Sequence, residues 1–422
     1  MNLQERDQKV IWHPYTQMKD PLPHIPISHG EGVYLFDQQG RKYIDAVSSW
    51  WVNIHGHAHP HIAQKVSEQL HTLEHVIFAG FTHEPAVQLA ERLLPLLPGR
   101  QEKVFYSDNG STAVEVAIKM CLQYWVNTSK APRTRILAFK EAYHGDTFGA
   151  MSVSGRSIFT DPFAGFLFDV EFIDLPTEKN IEQLKSTIKY LSSDLACFIF
   201  EPLVLGTAGM RMYEARYLDE LITVCQKHGV LTIADEVMTG FGRTGRYFSC
   251  EALKTAPDIF CLSKGLTGGT MPLGVTTCNA RIFDAFFSDD KLKTLYHGHS
   301  FTANPVACAA SLASLDILLN GETLSNIQRI TAKHHEFAAQ IRSHPKLKDV
   351  RQAGTILAME WDTGTDSSYL SGLRNQLYNY FLESGIILRP LGNILYILPP
   401  YVISDGDLDY IYQTILSALN DI

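Results

Sequence analysis

The 422-residue sequence predicts an α/β protein with two lobes: a large domain on a mostly parallel sheet flanked by helices, and a smaller α+β domain. Three observations carry this reading. Seven short apolar runs between residues 103 and 278 lack polar alternation, the mark of strands covered on both faces. Amphipathic helical stretches separate most of these runs, as parallel strands require. Past residue 304 helical patterns dominate, with only two apolar runs among them.

Taken in order, "GVYLFDQQGRKYIDAVS" alternates apolar and polar residues on each side of "DQQG" and reads as a hairpin. The seven runs are "KVFYS" (103–107), "RILAF" (135–139), "VEFID" (170–174), "LACFIF" (195–200), "VLTIAD" (230–235), "DIFCLS" (258–263) and "GVTTC" (274–278). Between them lie helices such as "STAVEVAIKMCLQYW" and "EARYLDELITVCQKHG", the latter ending on a glycine cap. "TILAMEW" and "ILYILPP" are the strands of the last part. These patterns divide the chain into a large domain, residues 49–319, and a small domain made of residues 1–48 and 320–422. No repeat or low-complexity linker argues for separate modules.

Composition excludes several classes. A formal net charge of −9 argues against nucleic acid, whose binders present basic faces. No apolar run reaches the roughly 18 residues of a membrane span. Seven cysteines without a CxxC pair form neither a disulfide framework nor a thiolate metal cage, and a cytoplasmic enzyme is expected. Histidines 55, 57, 59 and 61 would share one face of a straight strand and invite a metal reading. Gly56 permits a turn, however, and Pro60 suits the first position of a following helix, so the imidazoles need not converge and no metal is expected.

Open parallel sheets bind ligands beyond the carboxyl ends of their strands. "VLTIAD" delivers Asp235 there, a half-buried carboxylate that needs a cationic or hydrogen-bonding partner to stay ionised. "DIFCLS" delivers Lys264 and then "GLTGG", and an amine in such a partly dry site is a Schiff-base nucleophile. Gly110 and Ser111 open the helix after "KVFYS", where free N–H groups and the helix dipole suit a phosphate. Tyr143 follows "RILAF" and offers an aromatic face. Singly, each has an ordinary explanation as cap, ion pair or solvated lysine. Jointly they describe one ligand, pyridoxal phosphate: aldehyde on Lys264, ring nitrogen on Asp235, phosphate on Gly110 and Ser111, ring against Tyr143. Lys264 is then also the base for the substrate's α-proton.

"IADEVMTGFGRTG" followed by "PDIFCLSKGLTGGTMPLG" resembles the class III pyridoxal phosphate-dependent aminotransferases of fold type I, and the resemblance extends over nearly the whole chain. "WHPYTQM", "SSWWVNIHGHAHP", "FAGFTHEPA", "YHGDTFGAMSV" and "LRPLGNILYILPPYVI" resemble the branch of that family in biotin biosynthesis. That branch aminates 8-amino-7-oxononanoate by a ping-pong cycle, with S-adenosylmethionine or lysine as donor. The resemblance implies a homodimer with shared active sites, in which "YHGHSFTANP" of the second subunit completes the phosphate site. Gly298, His299 and Ser300 stand at those positions, His-Ser replacing a commoner Pro-Thr. It also implies a substrate pocket of Tyr15, Trp50, Tyr143, Lys264 and Gly298, with Arg389 on the keto acid's carboxylate. Aromatic walls and one distant guanidinium suit a long alkyl chain ending in a carboxylate. Trp51 is assigned to the core, and Arg243 either to the amino donor or to structure. Two other readings stay open: another class III ω-amino acid or diamine transaminase, and a catalytically silent cofactor-sensing domain, which residues 1–30 are too short to equip with a DNA-binding module.

Overall fold

A computed structural model describes residues 1–19, 22, 24–129, 131–364 and 371–422. Its centre is a seven-stranded sheet of β1 (Lys103–Ser107), β2 (Arg135–Phe139), β3 (Glu171–Ile173), β4 (Leu195–Phe200), β5 (Leu231–Asp235), β6 (Ile259–Leu262) and β7 (Gly274–Cys278). The spatial order is β1-β7-β6-β5-β4-β2-β3. Every residue of β4, β5, β6 and β7 is buried, which is why their sequences read as unbroken apolar runs.

Strands β2 to β6 pair in parallel with their neighbours in that group, whereas β7 is antiparallel to both β6 and β1. The reversal has a simple cause. Only residues 263–273 join β6 to β7, and a parallel return needs a crossover of about a dozen residues or more. Because β7 is flanked by antiparallel partners, β1 again points the same way as β6. The carboxyl ends of β1, β2, β4, β5 and β6 therefore open on one edge.

The helix Gly110–Thr128 lies across β6 and β7, with nine buried residues from Ala113 to Trp125 against the sheet. In the C-terminal part a three-stranded antiparallel sheet of Leu347–Ala353, Ile356–Trp361 and Ile394–Ile397 packs against helix Gly321–Ile341, while helix Leu373–Glu383 packs against the strand Ile386–Ile387 and helix Asp405–Asp421. The N-terminal hairpin, Tyr34–Asp37 with Lys42–Asp45, carries an extra strand, Ile27–Glu31, on its outer edge. Its inner strand pairs with Ile386–Ile387, Ile44 facing Ile386, so the two chain ends share a sheet. Leu347–Ala353, "LKDVRQA", escaped the sequence reading because it is an edge strand with mixed polar residues.

The histidine run is bent as its glycine permits: Gly56 has φ +84° and the helix begins at Pro60. Three of its imidazoles go to separate partners: His55 to Ser314 Oγ at 3.0 Å, His57 to Asp45 Oδ2 at 2.9 Å, His61 to Asp316 Oδ2 at 2.9 Å, while the His59 ring meets the edge of His55 at 6.3 Å.

Candidate active site

The strand ends converge on a cavity of about 490 Å³ lined by Gly110, Ser111, Tyr143, Asp235 and Lys264, with His144 and Glu201. Five residues that the sequence singled out from four separate strands thus meet in one place.

Asp235 closes β5 and is 4% exposed. Its Oδ2 lies 2.7 Å from His144 Nδ1 and its Oδ1 accepts from the Val237 N–H at 3.0 Å. His144 is the partner that a buried carboxylate requires, and sequence reasoning missed it although it directly follows Tyr143. Glu201 was missed too, although it follows "LACFIF" as Asp235 ends "VLTIAD". Its carboxylate accepts from the N–H groups of Tyr143 (2.9 Å) and Gly206 (3.0 Å), which sets the Tyr143 backbone. Burial pushes Glu201 up to about 7, His144 opposing the rise and Asp235 adding to it.

Lys264 follows β6 in the left-handed region, φ +47°, a conformation that costs a non-glycine residue about 1–3 kcal/mol and clusters at functional sites. Its Nζ lies 4.5 Å from the centre of the Trp51 ring. Burial pushes the amine down to about 8, against the pull of the Asp235 and Glu201 charges. In an unfolded chain it holds its proton up to its ordinary value of 10.5, so between pH 8 and 10.5 folding releases a proton and stability rises with pH. Below that window the cost is on the order of 3 kcal/mol at 1.36 kcal/mol per pKa unit. The cofactor-free Lys264→Met variant should therefore melt above the cofactor-free parent at pH 7, with the gap closing by pH 10.5. A gap independent of pH would contradict the assignment.

At the other end, Asn109 accepts from the Thr112 N–H at 3.0 Å, leaving the N–H groups of Gly110 and Ser111 at the start of a 19-residue helix. A Cβ at Gly110 would come within 2.7 Å of Val237 Cγ1, and one at Gly145 would collide with Ser111 Oγ, so glycine is what lets these loops approach. A buried amine, a hydrogen-bonded carboxylate and a helix N-terminus about one cavity apart fit pyridoxal phosphate in its three chemical handles.

A second cavity of about 420 Å³ continues from the first through Trp51, Val52, Tyr143 and Lys264. Tyr15, Trp50, Phe159 and Arg389 line it. The Arg389 guanidinium lies 3.9 Å from the Trp50 ring centre, and the Tyr15 ring meets the edges of Trp50 and Phe159, each at 5.6 Å. Tyr15 also donates to Asp146 Oδ2 at 2.6 Å.

Trp51 is both core and wall. It is 4% exposed and donates from Nε1 to the Tyr396 hydroxyl, but its ring faces Lys264 in both cavities. The cause is the backbone: Ser48, Ser49, Trp50 and Trp51 all have φ between +46° and +78°. Asp45 holds this strained turn, accepting from the Ser49 N–H (3.0 Å), the Ser49 hydroxyl (2.7 Å) and His57. Burial would raise the Asp45 carboxyl, and the bonds from His57 and Ser49 more than offset it, keeping it below the usual carboxylate range. Arg243 lies behind this wall, 1% exposed, donating to the carbonyls of Pro399 and Trp51 at 2.9 and 3.1 Å. Gly298, His299 and Ser300 do not line either cavity of their own chain.

Comparison with known proteins adds the family. The aminotransferase class-III family matches residues 15–419. The adenosylmethionine-8-amino-7-oxononanoate aminotransferase of Synechococcus elongatus is 46% identical, over 98% of this chain and 99% of its own length. The crystal structure of the enzyme of that name from Methanocaldococcus jannaschii superposes with a TM-score of 0.95 at 37% identity, covering 100% of this chain and 99% of its own. An amine transaminase from an uncultivated Pseudomonas species, solved in its PLP-bound form, has a TM-score of 0.91 at 30% identity, covering 97% and 98%.

Proposed function

This chain belongs to the class III aminotransferases, and from that premise we propose that it is the transaminase of biotin biosynthesis that converts 8-amino-7-oxononanoate to 7,8-diaminononanoate. The observation that carries this reading is the aromatic slot beside Lys264. Among the described residues lining it, Arg389 is the one charged group besides Lys264 itself. A flexible alkyl chain lies well along the aromatic surface of Trp50, Tyr15 and Phe159, and its terminal carboxylate pairs with Arg389 while the ketone points to Lys264.

Pyridoxal phosphate is the proposed cofactor, held by Lys264, Asp235, Gly110, Ser111 and Tyr143. When bound, it supplies the electron sink that lets an amine's α-carbon lose its proton. Lys264 Nζ takes that proton and returns it, and its lowered affinity for protons near neutrality suits both directions. The Asp235 carboxyl is aimed into the cavity by its bonds to His144 and to the Val237 N–H. Trp51 and Tyr143 limit water around Lys264.

The proposed amino donor is S-adenosylmethionine, with lysine the alternative. An adjoining cavity of about 610 Å³, reached past Tyr143, Phe159 and Thr207 and lined by both acids and bases, supports a bulky polar donor. The proposed assembly is a homodimer whose second copy brings Gly298, His299 and Ser300 to the phosphate end. The proposed compartment is the cytoplasm, in keeping with seven free, buried cysteines. No helix among the described residues is long and apolar enough to cross a membrane.

Assay of the purified protein with 8-amino-7-oxononanoate, 4-aminobutyrate and ornithine tests the reading. Turnover of the keto acid, with S-adenosylmethionine or lysine as donor, is expected; turnover of only the other two sinks it. Arg389→Ala should lower kcat/KM for the keto acid by about 10- to 150-fold, the equivalent of 1.5–3 kcal/mol for a charged hydrogen bond.

A further inference from the structure

Three side chains remote in sequence from Lys264 and Asp235 meet on the N-terminal arm. Asp7 comes from the helix Leu3–Val10, His13 from the segment after it and His24 from the approach to the strand Ile27–Glu31. Asp7 Oδ2 lies 2.7 Å from His13 Nε2 and 3.0 Å from His24 Nδ1. The two imidazole rings are 3.9 Å apart, and all three potential ligand atoms lie within 4.8 Å of one another. Among the described residues this is the one group of three histidine, cysteine or acidic side chains so disposed.

We propose that Asp7, His13 and His24 form a binding site for a first-row divalent transition-metal ion. Tetrahedral zinc, with bonds of about 2.0–2.1 Å, holds its ligand atoms about 3.3 Å apart. The Asp7 oxygen now lies 2.7 and 3.0 Å from the two imidazole nitrogens, at hydrogen-bond distance, so an ion entering between them has to open these separations by about 0.3–0.6 Å. Two imidazoles and one carboxylate are the donors that zinc, iron, cobalt and nickel prefer, whereas magnesium and calcium select oxygen-only shells. The three side chains are 20–29% exposed, which gives an ion an entry path and leaves water to complete its coordination. The site also has a mechanical consequence. It clasps residues 7, 13 and 24 together, and the loop so closed carries Tyr15, a wall of the substrate cavity.

The test uses the cofactor-loaded enzyme, freed of metal by chelator dialysis and titrated with Zn²⁺, Co²⁺ and Mg²⁺. A single saturable equivalent of Zn²⁺ is expected, displacing Co²⁺, with no binding of Mg²⁺ in the same range. Removing a group that merely orients a metal ligand costs about 10- to 100-fold in affinity, and removing a ligand costs at least as much. Asp7→Asn and His24→Gln should each weaken Zn²⁺ binding by that factor or more. Absence of stoichiometric binding, or equal binding by parent and variants, overturns the proposal. Crystals of the unmodified enzyme soaked in Co²⁺ provide a check that needs no variant: an anomalous peak between Asp7, His13 and His24 supports the site, and its absence there refutes it.

Discussion

Lys264→Ala is expected to abolish amine transfer. Loss of a positioned acid–base group alone removes about 10²- to 10⁴-fold of rate, and loss of the nucleophile that anchors the cofactor adds to it. The cavity offers no second amine. Among the described residues that line it, Lys264 is the one amine, Asp235 is engaged by His144 and Val237, and Glu201 is engaged by two backbone N–H groups. Single-turnover measurements with each substrate in turn separate the two half-reactions, and both should fail. A variant that still passes an amine from donor to keto acid at a tenth of the parental rate would remove Lys264 from the role given to it. A parent protein that binds pyridoxal phosphate and never transfers an amine would favour the sensing-domain reading instead.

What the sequence made legible follows from how local each signal is. Apolar runs such as "LACFIF" and "DIFCLS" marked strands because burial on both faces leaves no room for alternation, and the residues after them had to lie at one sheet edge. Lys264, Asp235, Gly110, Ser111 and Tyr143 were readable on that basis alone. The direction of β7 was recoverable only from the shortness of residues 263–273, a constraint on topology rather than on composition. His144 and Glu201 stayed hidden because their importance lies in whom they face, and a single sequence carries no distances. The Trp50–Trp51 pair shows the limit most clearly. Its orientation depends on a left-handed backbone held by Asp45 and by His57 from across a turn. The histidine run, read first for metal, contributes there as a brace for the pocket wall. The convergent histidines are His13 and His24, eleven residues apart with an aspartate from an earlier helix, a pattern with no periodic signature.

Asp235→Asn is the second large effect expected, and it isolates charge from shape. Asparagine has nearly the volume of aspartate and retains one acceptor oxygen, so either the His144 Nδ1 contact or the Val237 N–H bond survives, while the negative charge is lost. Losing one preorganised electrostatic group at a reacting centre typically raises the barrier by about 2.7–4 kcal/mol, roughly a 10²- to 10³-fold fall in kcat. His144→Gln tests the other half of the arrangement: the carboxylate stays but loses its orienting ring. By analogy with outer-shell groups that orient a ligand, its cost should be about 10- to 100-fold. The ordering is what matters. If Asp235→Asn and His144→Gln are equally damaging, Asp235 acts through its position and the charge at the cavity floor is incidental. If the aspartate variant is far worse while both proteins still take up the cofactor with parental stoichiometry, the buried negative charge is what the chemistry requires, and His144 serves to aim it.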